Sequence, residues 1–210
     1  MESEPRKTRD AEATKARILL AAKHEFAENG LGGARVDEIA QRANSNKRMI
    51  YHYFGNKDAL FQAVLVQAYV DIRSAEQELE LDHLSPEDAL IRLVTFTWSY
   101  YLDNPEFLTL VNSANLHKGR HLEGSDTIRT VSRRFVGMVK AILDRGVADG
   151  TFRPGVDPVQ LNITIAAIGY YYLTNRFTGS IQFERDLMAP DTLRERLSFN
   201  IETVLSIVRA

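Results

Sequence analysis

An all-α fold is predicted, and three observations predict it. Apolar residues recur three and four apart through most of the 210 positions, as one face of a helix requires. No segment shows the strict apolar and polar alternation of a half-buried strand, and no long repeat or low-complexity tract interrupts the pattern. Helix punctuation falls between the periodic stretches: Asn44-Ser45-Asn46, Ser85-Pro86, Asn104-Pro105, and glycines at 30 and 150.

Residues 1–12 are charged and aperiodic, so they are expected to form a disordered arm. Arg6, Lys7 and Arg9 can follow a DNA groove from such an arm, although most short charged termini are simply solvated. From Ala13 to Asn29 the pattern is helical and stops at Gly30. Gly32 and Gly33 read as turn residues, because no strand precedes them and their spacing is not that of a phosphate cradle.

The most informative stretch is Val36–Phe61. Val36, Ile39, Ala40 and Ala43 keep helical spacing, a break follows, and a second short helix is predicted from Lys47 to Phe54 with Ile50 and Phe54 inward. Asn44 tolerates the left-handed conformation that ends a helix, and Asn46 can accept hydrogen bonds from the first amides of the next. Lys47, Arg48, Tyr51 and His52 then project outward. A two-turn helix with a cationic, aromatic outer face suits a DNA major groove, which makes the stretch a helix-turn-helix.

Ala40-x-x-Ala43, the turn, and Ile50-Tyr51-His52-Tyr53-Phe54-x-x-Lys57-x-x-Leu60-Phe61 resemble the DNA-binding domain of the TetR family of bacterial transcriptional regulators. Ile18, Ala21, Ala22, Phe26 and Asn29-Gly30 extend the resemblance over residues 14–62. The chain departs from the family pattern at Asn44 for glycine, Ser45 for an apolar residue, and Arg35 for threonine at the start of the second helix. The DNA-binding surface is expected to comprise Arg35, Asn46, Lys47, Arg48, Tyr51, His52, Tyr53 and Lys57. Tyr53 is expected to bond phosphate through its hydroxyl and His52 to face the backbone. Lys57 stands where a cation and a helix N-terminus both attract phosphate, and Arg35 can act likewise.

Lys57 to about Glu80 reads as one long helix, more suited to contain a domain boundary than to be followed by a flexible linker. Ser85-Pro86-Glu87-Asp88 opens another: a capping serine, proline in the first turn, then acids beside the positive helix end. It runs to about Asp103, and Asn104-Pro105-Glu106 starts the next. After a break near Gly119–Gly124, a helix is predicted over 126–149, then a turn-rich connector over 150–158. The last two stretches, 158–176 and 190–209, carry strong apolar faces.

Composition is that of an ordinary globular protein, 44% apolar and 26% charged. Residues 1–62 hold 11 Lys or Arg against 9 Asp or Glu, and the remainder 15 against 19, so the N-terminal part is the more basic within a net charge of −2. There is no cysteine, which removes disulfides, thiolate catalysis and cysteine metal sites. No signal-peptide core or bilayer-length apolar run is found, so no membrane partner and a cytoplasmic location are expected. His117 with His121, and Glu80-x-x-His83, are incomplete as metal sites. His117 and His121 read as a solvated loop, and neither a metal nor any other cofactor is expected. Asn162-Ile163-Thr164 matches a glycosylation sequon by pattern alone.

The resemblance implies a C-terminal domain that binds a small effector controlling DNA affinity. Phe96, Trp98, Tyr100 and Tyr101 crowd one helix, with Phe107, Asn112 and Asn115 on the next. Aromatic stripes are commonly core, yet this set covers too much of the helix circumference for one core. Trp98, Tyr101, Asn112 and Asn115 are therefore the expected effector residues. A homodimer is expected through Leu161, Ile165 and Ile168 on one of the last two long helices and Leu197, Ile201 and Leu205 on the other. The domain plan is a helix-turn-helix domain over 13–62 and an effector-binding and dimerisation domain over 63–210. Together these give a ligand-responsive regulator, expected to be a repressor that leaves a pseudo-palindromic operator on double-stranded DNA when the effector binds. An all-α enzyme or a protein-interaction adaptor is the alternative, but no nucleophile elbow, metal set or nucleotide loop supports an enzyme.

Overall fold

The computed structural model describes residues 6–210, with side chains from residue 10 onward. The described residues form α1 (Arg6–Gly33), α2 (Val36–Arg42), α3 (Lys47–Phe54), α4 (Lys57–Gln77), a 3₁₀ turn (Leu81–His83), α5 (Pro86–Asp103), α6 (Pro105–Leu116), α7 (Asp126–Ala148), α8 (Pro158–Thr174), α9 (Arg176–Gln182) and α10 (Pro190–Val208). The extended pairing among them is one isolated antiparallel bridge, Phe152 with Arg209. The all-α expectation therefore holds.

Local chemistry accounts for most boundaries. Gly30, at φ 63° and ψ 174°, breaks the helical path of α1 where the sequence predicts a stop. The Ser85 hydroxyl accepts from the Asp88 amide at 3.1 Å, and Asp157 accepts from the amides of Val159 and Gln160 at 2.8 and 2.9 Å.

Two expectations change. Residues 6–12 belong to α1 rather than to a disordered arm, because Arg, Lys, Ala and Glu are good helix formers and no glycine or proline separates them from Ala13. Residues 1–5, and the side chains of Arg6, Lys7 and Arg9, lie outside the described residues. Helix α9 has no counterpart in the periodicity, since Gly179 and the threonine beside it are poor helix formers. Packing explains the glycine: a Cβ there would stand 2.8 Å from the Leu187 Cδ1.

The chain packs as two compact units, one reaching to Tyr69 and including Glu106–Ile128, the other comprising Val70–Pro105 and Arg129–Ala210. The division falls within α4. In the first unit Ile18, Phe26, Ile39, Ile50, Leu60, Phe61 and Leu65 are buried together. The Phe61 ring stands edge-on to Phe26 at 5.0 Å and to His121 at 4.9 Å.

The second unit is built on α5, α7, α8 and α10, with Leu90, Leu93, Val139 and Val204 at its centre. Leu161, Ile165 and Leu205, expected at a dimer interface, belong to this core, and Ile168 and Ile201 pack against it. Leu197 is half-buried. The periodicity identified the apolar face of each helix correctly but could not say whether a partner or the same chain covers it. The apolar side chains left exposed are different ones, among them Ile163 and Tyr171 on α8, Phe177 and Ile181 on α9, and Phe199 on α10.

Glu76 is buried at 2% exposure, with both carboxylate oxygens within 2.8 Å of Arg73 Nη1. The Arg73 guanidinium also lies 4.0 Å above the Phe135 ring. Burial pushes the Glu76 carboxyl up to about 7, against the pull of Arg73. Between its ordinary value of 4.5 and about 7 the folded chain holds a proton that the unfolded chain releases. Folding stability should therefore fall as pH rises through that window, by up to about 3 kcal/mol, and level off above it. Thermal unfolding of wild type and Glu76→Gln across pH 4.5–8 checks this, because the variant should lose that slope.

Candidate nucleic-acid interface

The helix-turn-helix is assembled by contacts within the first unit. Asn44 takes φ 46°, the left-handed conformation that ends a helix, and the Ser45 amide closes the turn on the Ala40 carbonyl at 2.9 Å. The Asn46 side chain caps α3 by accepting from the Met49 amide at 2.9 Å. From α1, Arg17 Nε donates to the Ala43 carbonyl at 3.4 Å and tethers the end of α2.

Arg35 precedes α2 in extended conformation and provides no side-chain cap. Glu25, buried on α1, accepts instead from the Arg35 backbone amide at 2.9 Å. A carboxylate from a neighbouring helix thus holds the amide that precedes α2, a partner that local sequence does not reveal. Asn56, also not anticipated, caps α4 by accepting from the Ala59 amide at 2.8 Å.

Ile50, 1% exposed, anchors α3 in the core, whereas Lys47, Arg48, Tyr51 and His52 stand on its exposed side. Lys47 pairs with Asp37 on α2 at 3.1 Å, and Arg35 lies 3.8 Å from Glu38. Both pairs are exposed, where such interactions contribute little and can be exchanged for phosphate. Arg48 has no hydrogen-bond or ion-pair partner among the described residues. The His52 ring packs edge-on against the half-buried Tyr53 at 5.3 Å, which orients both. Lys57 Nζ donates to the carbonyls of Ala34 and Gly32 at 3.1 and 3.4 Å. Its ammonium is thereby fixed beside the start of α4 with a third donor in hand.

Behind this surface the Asp58 carboxylate meets Arg120 at 2.9 Å and His121 Nε2 at 3.1 Å. The hydrogen bond with His121, and then the charge of Arg120, hold its carboxyl below the usual aspartate value. His121 is 6% exposed, so the expected solvated loop is corrected: its ring is sealed between Phe61 and His117. Among the described residues no group of three His, Cys, Asp or Glu side chains comes together to hold a metal.

The four expected effector residues fall in different units. Trp98 and Tyr101 are buried in the second, where both pack over Gly169, at 3.6 and 3.4 Å from the position its Cβ would take. Asn112 and Asn115 belong to the first and are exposed, and the Asn115 amide donates to its own helix at the Val111 carbonyl. A cavity of about 290 Å³ lies elsewhere in the second unit, lined by Tyr171, Tyr172, Asn175, Phe183, Leu187 and Arg196 among others. Its signal in the sequence was weak, because half of its wall belongs to α9 and the loop after it. No described helix is long and apolar enough to cross a membrane.

Residues 18–64 match the family model for bacterial regulatory proteins of the tetR family, and residues 86–204 match the tetracyclin repressor-like C-terminal domain. The HTH-type transcriptional repressor NicS of Pseudomonas putida is 37% identical over 203 residues, covering 97% of this chain and 96% of that protein. Among solved structures, a TetR transcriptional regulator from Chloroflexus aurantiacus superposes with TM-score 0.72 at 19% identity, covering 96% of this chain and 98% of that one. FadR of Bacillus subtilis, solved in complex with stearoyl-CoA, superposes with TM-score 0.68 at 17% identity over 93% and 100% of the two chains.

Proposed function

The chain belongs to the TetR family of bacterial transcriptional regulators, and from that premise we propose that it represses transcription from a pseudo-palindromic operator and leaves it when a small molecule binds the C-terminal domain. Residues 13–62 are the DNA-binding domain in this reading, and 63–210 bind the effector and form the homodimer. The repressor named above, similar over nearly the whole chain, supports repression as the direction of control. The observation that carries the DNA reading is the outer face of α3, where Arg48 stands exposed and unpaired beside Lys47, Tyr51 and His52 on a helix held by Ile50.

Arg48 is assigned to a guanine edge, Lys47, His52, Tyr53 and Arg35 to the phosphate backbone, and Asn46 and Tyr51 to the flanks of the same groove. Lys57 directs its third donor to a phosphate, its other two being held by carbonyls. Arg48→Ala should cost about 1 to 3 kcal/mol of specific binding and relax preference at one base pair. Lys57→Ala should weaken specific and random duplexes alike and flatten the salt dependence, since a phosphate contact releases counterions whatever the base. Binding to both kinds of duplex across a salt series separates the two signatures. If neither variant changes affinity or salt slope while remaining folded, α3 is not the reader.

The homodimer is assigned to the exposed apolar side chains of the second unit. Ile163 lies on the solvent side of α8 and Phe199 on that of α10, so together they offer two helix faces for a four-helix contact about a two-fold axis. Changing Ile163 and Phe199 together to aspartate should convert a dimer to a monomer in sedimentation at micromolar concentration, with helical content unchanged. A dimer that survives both changes places the interface elsewhere.

A further inference from the structure

The second unit holds a cation with no counter-charge. Arg196, on α10, is half-buried and lines the 290 Å³ cavity. Its Nη2 donates to the Ile168 carbonyl at 3.1 Å, whereas its Nε is buried without a partner. The guanidinium stands 5.2 Å from the Tyr172 ring centroid and 5.3 Å from that of Phe199. Arg194 on the same helix pairs with Asp191, and Arg185 with Glu195, whereas Arg176 on α9 donates to the Leu173 carbonyl and lies over the Phe177 ring. Arg196 has no carboxylate partner among the described residues, and desolvation holds its pKa below the ordinary arginine value. Partial burial of an arginine is offset best by an anion, so a half-buried one without a carboxylate partner at a cavity wall is suited to take one from a ligand.

The remainder of the wall limits what that anion can be. Tyr171, Tyr172 and Phe183 offer flat apolar faces, while Asn175, Thr178 and Gln182 add polar groups. Tyr172 is held in place by its hydroxyl, which donates to the Leu187 carbonyl at 2.9 Å, and the Leu187 amide donates to the Ser180 hydroxyl at 3.1 Å. A planar guanidinium favours a carboxylate through paired N–H donors, and ring walls favour a flat apolar body. A volume of 290 Å³ suits a small molecule rather than a peptide.

We propose that the cavity bounded by α8, α9 and α10 binds a small carboxylate with a flat apolar body, its carboxylate on Arg196 and its body against Tyr171 and Tyr172. This gives the effector reading above a site and a chemical class, and it rests on that reading for its consequence on DNA.

Trp98, the sole tryptophan, lies edge-on to Tyr172 at 5.5 Å, so its emission reports occupancy of the cavity without any DNA present. The probes are benzoate and its neutral counterpart benzamide, titrated into the full chain. Benzoate should saturate with a Kd of about 1 mM or tighter. Benzamide should bind about 10-fold or more weakly, and Arg196→Gln should remove the preference for benzoate, since a bond to a charged donor is lost. Equal binding of the two probes by the wild type overturns the proposal, as does the absence of saturation by benzoate. Benzoate preference retained by folded Arg196→Gln overturns it as well. Should that variant not fold, the comparison of the two probes on the wild type decides alone. A small molecule that releases DNA equally from wild type and Arg196→Gln leaves the effector reading standing and overturns this site.

Discussion

Phe61→Ala should destabilise the first unit by about 3 to 5 kcal/mol, the usual loss for emptying a buried phenylalanine site. Phe61 is 0% exposed and stands edge-on to two rings, Phe26 on α1 and His121 in the segment after α6. Removing it opens a space between three chain segments that helices cannot close without moving their backbones. His121 would also lose one wall of its enclosure while its Nε2 is held on Asp58. DNA binding should fail at temperatures where the wild type still binds, and should recover on cooling, which distinguishes a folding defect from a lost contact. Phe61→Leu refills most of the space and should cost clearly less. Thermal unfolding by circular dichroism checks both, and an unchanged midpoint for the alanine variant would show that Phe61 does not fill this core.

The second large effect concerns a glycine whose absent side chain is occupied by another residue. A Cβ on Gly146 would lie 2.0 Å from Phe152 Cδ2 and 2.4 Å from its Cγ, inside the van der Waals volume of the ring. The ring has nowhere to go. Phe152 is 2% exposed, its amide donates to the Gly146 carbonyl at 2.8 Å, and the neighbouring Arg153 amide donates to the Val208 carbonyl at 2.8 Å. Gly146→Ala should therefore cost about 3 kcal/mol, at the upper end for overpacking, even though alanine is the better helix former in α7. Adding Phe152→Leu should return part of the loss, so that the two changes together cost less than their sum. Denaturant unfolding followed by Trp98 emission reads this, and a Gly146→Ala variant as stable as wild type would mean the ring can move aside freely.

Features set by residues adjacent in the chain were legible. The stop at Gly30, the left-handed Asn44, the Asn46 cap and the Ser85-Pro86 start each depend on a few neighbouring side chains and amides, and each appears in the structure as the spacing predicts. The outer face of α3 was legible for the same reason: once Ile50 is inward, helical geometry carries Lys47, Arg48, Tyr51 and His52 outward. Where a feature depended on a distant segment, the pattern was silent or misleading. At the start of α2 the Arg35 amide is met by Glu25, ten residues earlier, a partner no local pattern shows. His121 looked solvated beside Gly119 and Gly124, yet Asp58 and Phe61 enclose it from more than fifty positions away.

The sequence by itself determined the helical class, the helix-turn-helix and the identity of the apolar faces, since periodicity and capping act over one or two turns. Only the tertiary structure decided what those faces meet. Leu161, Ile165 and Leu205 turned out to close the core of their own chain, leaving Ile163, Tyr171 and Phe199 exposed. It also decided that Trp98 and Tyr101 pack as core while the cavity opens beside Arg196. Burial is a property of the neighbours a side chain acquires, and α9, whose glycine admits Leu187, is among the neighbours that no local periodicity announces.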